Sequence, residues 1–154
     1  MGRRFKSDSR LKWYNIRMNS CVTCNNKPAR PSYKYCSNKC QKEYQYAQYI
    51  KKWQSGLVSG DGGIVTKSIS RHIKCYLIEI YGEKCSVCEW SIKYQIIGRV
   101  RLEVDYINGN SEDNREENLR LICPNCHSLS SNFRNLNRGK GRAWRMLKYI
   151  KNID

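Results

Sequence analysis

LEVDYINGNSEDNREENLRLICPNCHSLSSNF, residues 102–133, is the stretch on which the fold turns. Taken with the residues before it, RVRLEVDYI at 99–107 alternates. Val100, Leu102, Val104 and Tyr106 face one way, and Arg99, Arg101, Glu103 and Asp105 the other, which is the period of a strand. NGNSEDNREEN is a polar loop, and LRLI at 119–122 forms a short second strand. A cysteine pair, Cys123-Pro-Asn-Cys126, follows, with His127 next to it and a helix expected to begin there.

Working outward, that pair finds its match upstream in Cys85-x2-Cys88, and Cys21-x2-Cys24 with Cys36-x3-Cys40 makes a second set of four. A two-residue spacer lets one turn aim both thiolates at a single ion, and a second pair closes a tetrahedron, so each set suits a structural Zn²⁺ with no open coordination position. Eight of nine cysteines are used in this way; Cys75 is left as a half-buried thiol on a helix. Dense cysteine in a chain whose basic start, MGRRFKSDSR, runs into no apolar segment points to metal inside a cell rather than to a secreted disulfide scaffold. No run approaches the roughly 20 apolar residues of a membrane span.

Around the cysteines the chain reads as a basic arm and four-cysteine module with a helix over 1–55, a linker over 56–66, a domain over 67–133 and a basic C-terminal helix over 134–154. Ser37 is placed to cap a helix through KCQKEYQYAQYIKKW, with Tyr46, Tyr49, Ile50 and Trp53 on one face. Ser68 or Ser70 caps the next helix, whose apolar face is Ile69, Ile73, Tyr76, Leu77 and Ile80, and Gly82 ends it.

The net charge of +16 is not spread evenly. Residues 1–52 hold 13 Lys/Arg against 2 acids and residues 128–154 hold 7 against 1, while residues 85–127 hold 5 against 7. Two basic ends flanking an acidic centre point to a polyanion gripped from both sides, with nucleic acid the commonest such partner. Arg3, Arg4, Lys6 and Arg10 form one clamp, and Arg134, Arg138, Lys140, Arg142 and Arg145 the other.

The ordered elements CSVC, LEVDYINGN, ENL and CPNCH resemble those of the HNH endonucleases, the ββα-metal nucleases of phages and mobile elements that include homing endonucleases. The resemblance runs over about residues 69–133, and YKYCSNKCQ looks like the small zinc module often fused ahead of such enzymes. It implies a small zinc-stabilised α+β fold, a treble-clef-like ββα-metal core preceded by a four-cysteine module and flanked by helices. It also implies hydrolysis of double-stranded DNA to 3′-hydroxyl and 5′-phosphate ends. A single site nicks one strand, so a double-strand break calls for a homodimer or two visits.

In the family's pattern Asp105 and His127 are the ligands of one catalytic divalent ion, with Mg²⁺ or Mn²⁺ suited to such a hard, open set. Asn118 matches the central asparagine, which braces the loop, orients the base or sits near the metal. Asn108 stands where an aspartate is usual. The larger departure is Tyr106, which occupies the general-base position. A phenol with a pKa of about 10 keeps its proton at pH 7, where imidazole can accept one. Three explanations compete: an inactivating change that leaves a DNA-binding zinc protein, a tyrosine that positions water while the ion activates it, or another base such as His72.

Overall fold

The computed structural model describes residues 20–62 and 68–137. The arm at 1–19, linker residues 63–66 and the C-terminal helix from 138 onward lie outside the described residues, and with them Arg3, Arg4, Lys6, Arg10, Arg138, Lys140, Arg142 and Arg145. The described chain is α+β: helices α1 (Asn38–Gln54), α2 (Arg71–Tyr81) and α3 (Pro124–Ser128), and an antiparallel pair, β1 (Glu103–Tyr106) and β2 (Leu119–Ile122). One-turn 3₁₀ helices precede β2 at Glu116–Asn118 and follow α3 at Arg134–Asn137. Among the described residues no helix is long and apolar enough to cross a membrane.

The chain divides into two compact units, Met1–Gln48 and Tyr49–Asp154, so the division falls within α1 and ahead of the glycine-rich loop. The last turns of α1 belong with the second unit because Ile50 and Trp53 are buried there, and the Trp53 indole donates to the backbone oxygen of Asn114 at 2.8 Å.

In the first unit, Ser37 caps α1 as its position suggested, its hydroxyl accepting from the Cys40 N–H at 3.3 Å. In the second, Ser70 rather than Ser68 caps α2, accepting from the His72 N–H, and Gly82 ends the helix. Ile73 and Leu77 of α2 are fully buried, and the core also takes in Val100, Leu102, Leu119, Leu121 and Ile122. Ile80 departs from the expected apolar face and is 57% exposed, because only the first two turns of the short helix lie over the core. Gly60 (φ +83°) is required where it stands: a Cβ would fall 2.7 Å from the Ile73 side chain.

β1 is shorter than the alternating run at 99–107. Its pairing with β2 sets Glu103 opposite Ile122, Asp105 opposite Arg120 and Tyr106 opposite Leu119. The expected division into faces holds through Leu102 and then fails in burial, since Asp105 on the polar side is only 4% exposed. α3 begins at Pro124, three residues ahead of the expected start, and carries His127 near its end. Pro at the first helical position costs no hydrogen bond there, and the Cys123 sulfur accepts from the Cys126 N–H as a cap.

Candidate metal centres and nuclease site

Both four-cysteine sets converge. In each, the sulfurs lie within 4.8 Å of one another: Cys21, Cys24, Cys36 and Cys40 in the first unit, and Cys85, Cys88, Cys123 and Cys126 in the second. Sulfur separations of 3.4 Å (Cys24–Cys36), 3.5 Å (Cys36–Cys40) and 3.8 Å (Cys88–Cys123) are close to the roughly 3.8 Å edge of a tetrahedron with 2.3 Å metal–sulfur bonds.

The two leading pairs are built alike. The Cys21 N–H donates to Asn26 O and the Asn25 N–H to Cys21 O, with Asn25 at φ +57°. The Cys85 N–H donates to Trp90 O and the Glu89 N–H to Cys85 O, with Glu89 at φ +59°. The same left-handed residue thus closes each knuckle four places after its first cysteine.

As free thiols the members of each set differ sharply. Burial pushes Cys21 up, but backbone N–H groups of Cys36, Thr23 and Cys24 outweigh it and bring the thiol down to about 6. Burial and the backbone N–H groups of Cys88, Cys123 and Val87 act likewise on Cys85, also lowered to about 6. Sharing a proton with Cys24 and then Cys40 pushes Cys36 up to about 12, and contact with Cys88 and Cys123 does the same to Cys126. Four thiols this close cannot all ionise without a cation among them; a dication removes that conflict.

The second set anchors a different site. Cys123 stands between β2 and α3 as the helix cap, and α3 carries His127 back over β1. There the His127 Nε2 faces the Asp105 Oδ1 at 3.9 Å. Two donors of one ion with bonds near 2.1 Å stand about 3–4 Å apart, so this pair fits the two-ligand site expected of it. The other carboxylate oxygen of Asp105 is occupied by Arg120 of β2, whose Nε and Nη2 approach Oδ2 at 2.8 and 2.7 Å. That pairing makes burial of the carboxylate tolerable. On the far side of the imidazole, His127 Nδ1 meets the Glu103 carboxylate, and the Phe133 ring stands edge-on to the imidazole at 5.3 Å.

Asn118 is buried and braces the loop with both ends of its amide. Its Oδ1 accepts from the Asn108 N–H at 2.9 Å, and its Nδ2 donates to Asp113 O at 2.8 Å. Tyr106, the next residue after Asp105, directs its hydroxyl to Asn114 Oδ1 at 3.0 Å. Asn114 in turn donates to Ser59 O at 2.8 Å and to Asp61 Oδ1 at 3.1 Å. The phenol is therefore part of the network that ties the loop to the end of α1. His72 lies at the start of α2 with its ring 4.9 Å from that of Tyr49. Of the proposed DNA-binding cations only Arg134 is described; it is exposed and stacks over Phe133 at 5.0 Å.

Sequence reasoning missed Glu103, Arg120 and Asn114. The first stands on the polar side of the alternating run two places before Asp105, a visible but unspecific signal. The other two become significant only through strand register and loop closure.

A two-stranded antiparallel sheet and a short helix, held at four converging cysteines and presenting a carboxylate to an imidazole, are compatible with a small zinc-stabilised HNH fold. The family model described as HNH endonuclease matches residues 85–133, which hold the second cysteine set, Asp105, Tyr106, Asn118 and His127. Comparisons with curated proteins and with solved structures find no match.

Proposed function

We propose that this chain is a metal-dependent DNA endonuclease of HNH type, with Zn²⁺ in both cysteine sets and one Mg²⁺ or Mn²⁺ ion between Asp105 and His127. The observation that carries the reading is the approach of His127 Nε2 to Asp105 Oδ1 at 3.9 Å, within residues that match the HNH family. A divalent ion bound there supplies positive charge for the phosphorane and the leaving oxygen. The chain's own residues hold that geometry. Arg120 fixes one oxygen of Asp105 and turns the other toward His127, Asn118 holds the loop behind β1, and cations of the two basic ends neutralise phosphates. Free cysteines in such number suit a reducing, intracellular setting.

A second reading, a DNA-binding zinc protein without cleavage activity, is favoured by Tyr106, whose hydroxyl is engaged by Asn114 rather than placed as a base. Loss of a general base lowers a rate by roughly 10²–10⁴.

Supercoiled plasmid separates the two. Parent, Tyr106→His and His127→Ala are incubated with it in Mg²⁺ or Mn²⁺. The nuclease reading expects nicking by the parent and none by His127→Ala. Nicking by Tyr106→His alone marks the parent as the disabled form. Binding without cutting by both parent and Tyr106→His sinks the nuclease reading.

A further inference from the structure

We infer that Glu103 is a positioning residue for the metal-binding histidine: it holds the proton on His127 Nδ1 and thereby presents the Nε2 lone pair to Asp105. The inference rests on the metal-site reading given above and adds a residue to it.

The geometry follows from the strand. Glu103 and Asp105 are two residues apart on β1, so their side chains leave the same face about 6.8 Å apart along the strand. That spacing brackets one imidazole. His127, carried over this face by α3, meets Glu103 with Nδ1 and Asp105 with Nε2. A carboxylate only accepts, so the Glu103 contact places the proton on Nδ1. An imidazole without such a partner favours the proton on Nε2 in water, which would leave the wrong nitrogen for the ion. The edge-on Phe133 ring at 5.3 Å opposes a flip of the imidazole, and Arg120 on Asp105 Oδ2 leaves Oδ1 as the oxygen toward Nε2. Each of the two ligands thus has its own partner, and in both cases the atom left over faces the same gap. Carboxylate partners of this kind fix the tautomer of metal-bound histidines and typically change metal affinity 10–100-fold.

The test uses the full, zinc-loaded chain with Glu103→Ala and Glu103→Gln, each checked for parental zinc content and thermal melting. Mn²⁺ affinity is measured by calorimetry, and the His127 tautomer by long-range ¹H–¹⁵N correlation, where only His72 needs to be told apart. Glu103→Ala is expected to weaken Mn²⁺ about 10–100-fold and to move the ring proton to Nε2. Glu103→Gln, whose amide oxygen still accepts, should stay within about threefold of the parent and keep the parental tautomer. Parental affinity in Glu103→Ala, or an unchanged tautomer, overturns the inference. Asp105→Ala and His127→Ala serve as the separate check. If they bind Mn²⁺ as the parent does, or the parent binds none, the metal-site reading fails and takes the inference with it. If they lose the ion while Glu103→Ala keeps it, the inference alone fails.

Discussion

Replacing Tyr106 with Phe tests whether the phenol serves the fold or the chemistry. The substitution keeps the ring and removes one hydroxyl, which donates to Asn114 Oδ1 at 3.0 Å. Asn114 is only 5% exposed, so its oxygen cannot recover a water partner freely. A net hydrogen bond is worth about 0.5–1.5 kcal/mol, and a buried acceptor left short costs about 1–3. With the remaining Asn114 bonds to Ser59 and Asp61 intact, the expected loss is about 1–2 kcal/mol. For a unit of roughly 100 residues each kcal/mol lowers Tm by about 4–8 °C. Calorimetry or circular dichroism of the zinc-loaded protein reads that shift. Plasmid nicking, measured well below the melting range, should stay within about threefold of the parent. An unchanged Tm together with at least a tenfold loss of nicking would refute the argument and place the hydroxyl in the reaction.

Four further outcomes are expected. Asn118→Ala removes two hydrogen bonds to loop backbone and should cost about 2–4 kcal/mol, seen as a lower urea midpoint. Hydrogen bonding to Arg115 holds Asp113 down at about 2 from 3.8. Because the folded value is the lower one, its stabilisation is complete above pH 4 and is lost as pH falls toward 2; Arg115→Ala should lower stability at pH 7 by a small, solvent-screened amount and flatten that stretch of the acid-unfolding curve. Zinc uptake by metal-stripped protein at pH 7 should release at least one proton per site, since Cys36 and Cys126 sit at about 12, and calorimetry in buffers of different ionisation enthalpy counts them. If about six phosphates are neutralised, log K for duplex DNA should fall against log[salt] with a slope near −5, and a flat dependence would exclude the clamp.

Much of both units is legible because their signals are local. The cysteine spacings, the serine before α1, the glycine after α2 and the LRLI run each encode a turn, a cap or a strand within a few residues. The alternation at 99–107 runs past the strand because it persists where backbone pairing stops, and β2 offers only four partners. Periodicity alone points Ile80 inward, but it cannot report how far a neighbouring layer reaches.

The sequence by itself singled out the candidates: eight cysteines in two sets, an aspartate and a histidine in a recognisable order, and basic ends around an acidic centre. Tertiary structure decided how they face one another. Register set Arg120 on Asp105, the turn from β2 into α3 brought His127 between Glu103 and Asp105, and closure of the polar loop engaged Tyr106 with Asn114. Spacing along a chain constrains turns and faces, but contacts between residues 15 to 24 places apart arise only when strands pair and a helix folds back across them.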